Sequence, residues 1–329
     1  MTNTHSVTRT LACFTLFALS SCTTDDVGRG DLRVLVEAED VIINGLAPGE
    51  GVENIQDGWA IGFDQYIVAL GDIDVQFSTD ASIEAEAGEL HVIDLTQISA
   101  SGASLWSLTE LDEGRWEFRY ATLGAGDGAE RHSSVSEADF DLMVADDLTY
   151  LIRGTLEQAD GQSCPPASLA TPPVDAVAEG SNAAGDPCYS APSVAFEFGA
   201  SAETHFGPCE VDGNPGFSVT AGSETSVAIT IHGDHLFFNG FPEGGEGGVL
   251  RLAQWLADCD LNLDGVVTQA ELKAIAPSNL VEIDDRYQLG GSPITPLATM
   301  WDYVRAQLKT QGHFQGEGEC PIDGVGHEH

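Results

Sequence analysis

Trp59-Ala-Ile-Gly-Phe-Asp-Gln-Tyr-Ile-Val-Ala-Leu-Gly-Asp-Ile-Asp-Val-Gln-Phe77 decides the fold class. Trp59, Ile61 and Phe63 alternate with small or polar residues, and the register slips near Asp64-Gln65. Alternation resumes at Tyr66, Val68 and Leu70, and again at Ile73, Val75 and Phe77. A period of two means strands with one buried face, because successive strand side chains point to opposite sides. A one-residue slip would throw every apolar side chain to the wrong face, so it reads as a bulge. The same period recurs at Leu32, Val34 and Val36, and over residues 90–95, 115–122, 148–156, 194–198 and 226–232. Gly and Asp clusters at residues 46–51, 124–128 and 160–161 separate the runs. No helical period comes between them. The expectation is a mainly β fold, an antiparallel β-sandwich over residues 31–242.

Beyond the glycine-rich residues 239–248 the period becomes helical. Val249, Leu252 and Leu256 recur at helical spacing, then Leu272 and Ile275 before Pro277. A last helix is expected from Pro296 to Lys309, capped by Thr295, with Leu297, Met300, Val304 and Leu308 as one stripe and Gly312 at its end. These residues define a small α-helical C-terminal unit, 243–312, followed by a tail, 313–329. Residues 159–192 are rich in Pro, Ala and Gly and read as a surface excursion within the sandwich. The acidic runs Ser136-Glu-Ala-Asp139 and Asp146-Asp147 read as solvated loops.

The chain carries 12 basic and 53 acidic residues, a formal net charge of −41. Such a surface repels nucleic acid and anionic lipid head groups, which excludes nucleic-acid binding, and it favours cations. No G-x-S-x-G elbow, H-E-x-x-H helix, phosphate-binding loop or dinucleotide fingerprint occurs. The expectation is a binding or structural module and not an enzyme.

Within the helical unit, Asp260-Leu-Asn-Leu-Asp-Gly-Val-Val-Thr-Gln-Ala-Glu271 matches D-x-[DN]-x-[DN]-G-x₅-E without a gap. Asp260, Asn262 and Asp264 offer side-chain oxygens from alternate positions, Val266 its carbonyl, and Thr268 a ligand through water. Glu271 closes the site as the bidentate carboxylate that Ca²⁺ favours. The stretch resembles an EF-hand, which implies a helix–loop–helix holding one Ca²⁺, with Val267 where paired loops exchange a short β-bridge. Residues 279–285 are a candidate remnant of a second loop, without the glycine or the spacing.

At the N-terminus, His5 and Arg9 precede the apolar run of residues 11–19, and Leu19-Ser20-Ser21-Cys22 follows. This resembles the lipobox of bacterial lipoproteins. The resemblance implies a signal peptide over 1–21, lipidation of Cys22, a tether over 22–30 and a membrane partner reached through the lipid. Thr23 after the cysteine implies the outer membrane of a Gram-negative cell envelope. Cys13 would leave with the signal and Cys22 would carry lipid, so five cysteines remain in an oxidising compartment. Cys164 and Cys188 flank the excursion and are the first choice for a disulfide. Two of Cys209, Cys259 and Cys320 can pair, and which two is open.

Four histidines lie at element ends: His205, His232 and His235 in Thr-Ile-His-Gly-Asp-His, and His313 directly after the last helix. Imidazole suits copper and zinc, so these four could converge on a transition metal. They could equally cap strands and bond backbone carbonyls. By parity His232 falls with Ser226, Ala228 and Thr230, and so stands on the polar face or against whatever covers it. The strand–loop–strand pattern of His91-Val-Ile-Asp-Leu95 and Glu113-Gly-Arg-Trp116 is similar to periplasmic copper-associated β-sandwich proteins, over about thirty residues, and implies no ligand.

Overall fold

A computed structural model of the protein describes residues 28–241 and 249–322. The signal stretch, Cys22, the tether before Gly28 and the histidines at 327 and 329 lie outside the described residues. Strand predominates over helix.

The opening stretch forms a single 18-residue strand, Ala60–Phe77. Its first half pairs antiparallel with Tyr150–Glu157, from Ala60↔Glu157 to Val68↔Tyr150, and the register shifts between Phe63 and Gln65. That is the slip read from the sequence. Its second half pairs with Gly114–Thr122, with a second shift between Gly71 and Asp74. Asp72 sits inside that shift at φ 54°, a left-handed conformation that Asp tolerates better than most residues. The unbroken apolar run Tyr66–Leu70 has its own cause. Tyr66, Val68 and Leu70 face the main core, whereas Ile67 and Ala69 face a smaller cluster with Val92, Met143 and Leu151. Met143 belongs to the helix Glu137–Ala145, where a solvated loop was expected. Ser136 caps that helix by accepting the Asp139 amide at 3.1 Å, so the serine and acidic residues are an N-terminal helix signal that strand-directed reading passed over.

A second sheet runs in the order Gly312–Phe314, Glu224–Ile231, Arg29–Ala38, Ala103–Asp112. Its apolar residues Leu32, Val34, Val36, Ile229 and Ile231 share one core with Val68, Phe118 and Phe196 of the larger sheet. The expectation of antiparallel strands fails at three pairings, one of them the short His91↔Glu130, Val92↔Arg131. Arg29–Ala38 lies parallel to Glu224–Ile231, from Asp31↔Glu224 to Ala38↔Ile231. Val266–Thr268 lies parallel to Ser193–Ala200, with Val267 opposite Phe196. Parallel partners need a long crossover. Between Arg29–Ala38 and Glu224–Ile231 most of the larger sheet intervenes in the chain, so no local pattern announces that pairing.

The C-terminal helices pack into this same core through Trp255, Leu272, Met300, Val304 and Leu308. The helix before the acidic loop is one turn, Gln254–Ala257, and does not start at Val249. Arg251 is extended and bridges to Ile55 and Phe238. The Asp57 carboxylate accepts the Ala253 and Gln254 amides at 2.7 and 2.8 Å, which fixes the first turn there. The last helix spans Met300–Leu308, starting after Thr299. Thr299 and Asp302 bond each other's backbone amides, and this reciprocal cap prevails over Thr295. Most of residues 279–285 form no loop, since Ser278–Ile283 is helical. Nor do residues 313–322 trail away as a tail. Gly312–Phe314 extends the second sheet, and Cys320 is bonded to Cys209. The excursion is tied by Cys164–Cys188 as expected, and Cys259 is a buried thiol.

Candidate metal centre

Strand Glu224–Ile231 delivers His232 to the point where the chain tightens into a 3₁₀ turn, Gly233–Phe237. Residues three apart eclipse in such a turn, which sets His235 beside His232. Their rings lie 5.7 Å apart. The turn closes against the helix Asp40–Asn44, and a Cβ on Gly233 would stand 2.6 Å from Ile42 Cγ1. His313 arrives on the neighbouring strand opposite Thr230. It is thus the diagonal neighbour of His232, and the two rings stack at 3.9 Å. Gly312 lets that strand come close, since a Cβ there would stand 2.4 Å from Tyr120 Oη. One ligand nitrogen from each of His232, His235 and His313 lies within 4.8 Å of the others. The face predicted as polar is covered: Ala228, Thr230 and His232 are all buried.

Hydrogen bonds place a proton on one nitrogen of two of the rings. His232 Nε2 lies 3.2 Å from the Gly316 carbonyl. A carbonyl only accepts, so Nε2 carries a proton. His235 Nδ1 lies 2.9 Å from Thr310 Oγ1. That hydroxyl donates its own proton to the Gln307 carbonyl at 2.8 Å, so it accepts from Nδ1. Metal-binding histidines are held in this way, with the far nitrogen donating to a protein oxygen.

Beside the histidines lies a buried carboxyl pair. Asp234, fully buried, receives Arg251 Nε on Oδ2 at 2.5 Å. Arg251 also donates to the Val52 carbonyl, pairs with Glu53 at 2.8 Å and lies 5.2 Å from the centre of the Phe238 ring. Glu39 comes from the other side of the turn, its amide donating to the Ile231 carbonyl at 3.1 Å. Oxygens of Glu39 and Asp234 and a nitrogen of His232 lie within 4.8 Å of one another. Burial, and after it the Asp234 carboxylate, pushes Glu39 up to about 8, although His232 and Arg251 pull the other way. Glu39 was not a candidate from sequence. It reaches the site through the parallel pairing, which leaves no local trace.

His205 does not join this group. It is exposed on the strand Thr204–Phe206, with Nδ1 3.7 Å from Asp72. His91 stands elsewhere, edge-on to Trp106.

The loop of residues 260–271 is a second, separate constellation. Asp260 is buried, and its two oxygens accept the Asp264 and Gly265 amides at 3.2 and 2.9 Å. Asn262 Oδ1 accepts the Asp264 amide at 2.8 Å, and Asp264 Oδ1 the Val266 amide at 3.0 Å. Glu271 ties the loop's two ends, accepting the Leu261 amide at 3.0 Å on one oxygen and the Thr268 amide and hydroxyl at 2.8 Å on the other. Burial first, with Glu271 and Asp264 adding to it, pushes Asp260 upward against the pull of the Gly265 amide. The excursion braces the loop from outside, Thr171 donating to the Leu261 carbonyl at 2.7 Å.

Compared with protein-family models, curated proteins and solved structures, the chain matches none.

Proposed function

We propose that this is an extracytoplasmic metal-binding protein whose functional centre is a transition-metal site, for copper or zinc, on His232, His235 and His313. The observation that carries the reading is the convergence of three imidazoles from two distant segments, two of them oriented by hydrogen bonds from one ring nitrogen. Nitrogen donors in a covered pocket suit copper and zinc, whereas Ca²⁺ and Mg²⁺ want oxygen. The centre sits in a β-sandwich anchored by a lipid on Cys22, and two disulfides agree with an oxidising compartment. Purified protein should keep one equivalent of copper or zinc through dialysis without chelator. His232→Ala and His235→Ala should each lose it, while His205→Ala keeps it. A metal-free wild type, or variants that retain the ion, would refute the reading.

A second reading concerns residues 260–271 as an EF-hand-like Ca²⁺ site with Asp260, Asn262, Asp264, Val266, Thr268 and Glu271 as ligands. Its support is that Val266–Thr268 is built into the larger sheet and not paired with another loop. Calcium bound there would stabilise the sheet edge, a structural role and not a switch.

A further inference from the structure

We propose that Glu39 is the anionic ligand of the histidine centre and makes it selective for divalent over monovalent ions. The inference rests on the transition-metal reading of His232, His235 and His313. Glu39 approaches the same His232 that the trio shares: its carboxylate oxygen, one of Asp234 and a His232 nitrogen lie within 4.8 Å of one another. The two groups meet only at His232, so Glu39 approaches an ion held by the trio from the His232 side.

The neighbouring charges assign the role to Glu39 and not to Asp234. Asp234 already has its cation, because Arg251 grips Oδ2 from a buried position. A metal ion drawn onto Asp234 would face that guanidinium. Glu39 Oε2 is buried and, among the described residues, has no hydrogen-bond partner outside this carboxyl pair; the same holds for Asp234 Oδ1. The two carboxyls are hydrogen-bonded to each other, and a buried carboxyl pair of this kind is costly unless a cation joins it. Three neutral imidazoles bring no charge to the ion they hold. A divalent ion in this covered pocket would carry its full charge of two, and Glu39 halves it. A monovalent ion needs no such help, and soft Cu⁺ gains little from a hard carboxylate oxygen.

The test compares wild type with Glu39→Gln, which keeps the shape and removes the charge. Each is titrated with Zn²⁺, and under reductant with Cu⁺, in competition with chromophoric chelators. Excess Ca²⁺ is present to occupy surface carboxylates. Glu39→Gln should weaken Zn²⁺ by at least about tenfold and leave Cu⁺ affinity where it was, which also reports that the histidine pocket is intact. Equal losses for both ions would make Glu39 a structural residue and overturn the proposal. So would Zn²⁺ binding that ignores the substitution, with the transition-metal reading left standing. A wild type that binds neither ion would overturn both.

Discussion

Cutting the Cys209–Cys320 bond should cost more stability than cutting Cys164–Cys188, and only the first cut should damage the proposed metal centre. The bridges close segments of very different length, with sequence separations of 111 and 24. Loop-closure entropy of about 2.1 + 1.5R ln n cal/mol/K gives about 4.8 kcal/mol for the long loop and about 3.4 kcal/mol for the short one at 25 °C. The short bridge ties only the excursion. The long one secures the segment that carries His313, adding to the strand pairings Ile229↔Phe314, Thr230↔His313 and Ile231↔Gly312 and to the Gly207 and Glu210 amides on the Pro321 and Glu319 carbonyls. Without the bridge that strand frays. Apparent metal affinity then falls by the fraction of molecules in which His313 is docked. The assay is guanidinium unfolding of Cys209→Ala/Cys320→Ala and Cys164→Ala/Cys188→Ala, with Zn²⁺ titration of each. Equal stability losses, a reversed order, or undiminished metal affinity in the first variant would refute the reasoning.

Gly233→Ala should destabilise the protein by about 1–3 kcal/mol, the usual cost of overpacking, because its Cβ would meet Ile42. Ile42→Ala in the same chain should relieve part of that clash, and a double-mutant cycle with no coupling would show that it does not exist. Asp57 predicts a pH dependence. Burial raises its native value, so the native state favours the protonated form. Its contribution is complete below the unfolded value of about 3.9 and is lost as pH rises through the raised native value. Asp57→Asn keeps an acceptor for the Ala253 and Gln254 amides, so the variant should gain on wild type as pH rises from 4 to 8; a constant difference in unfolding free energy contradicts this. Calcium at a hundredfold excess over Kd should stabilise the native state by about 2.7 kcal/mol. Glu271→Gln should abolish the accompanying rise in Tm and Gln269→Ala preserve it, whereas a wild-type melting curve indifferent to chelator would leave the loop a turn.

Where the sequence was legible, the physics was local. The alternation through Trp59–Phe77, with its slip, announced both the long strand and its bulge, because strand periodicity and register are properties of neighbouring residues. Leu32, Val34 and Val36 announced the first strand for the same reason, and the position of Cys164 and Cys188 announced their bond. Three of the four histidines singled out do meet. What escaped was set by distant partners. The parallel pairings depend on segments far apart in the chain, and alternation carries no strand direction. The one-turn helix Gln254–Ala257 is cut short by Asp57 and by the extended Arg251, neither of which belongs to its own periodic pattern. His205 looked equivalent to His313 in sequence, yet it sits on an exposed strand beside Asp72. Glu39 was invisible because only the fold brings it to His232.

X-ray absorption at the metal edge of protein reconstituted with one equivalent of Zn²⁺ in the presence of excess Ca²⁺ tests the central claim most directly. Three histidine ligands predict nitrogen scatterers at about 2.0–2.1 Å with the outer-shell pattern of imidazole rings, reduced by one ring in His313→Ala. An all-oxygen first shell without imidazole scattering, or a spectrum that His313→Ala leaves unchanged, would contradict it.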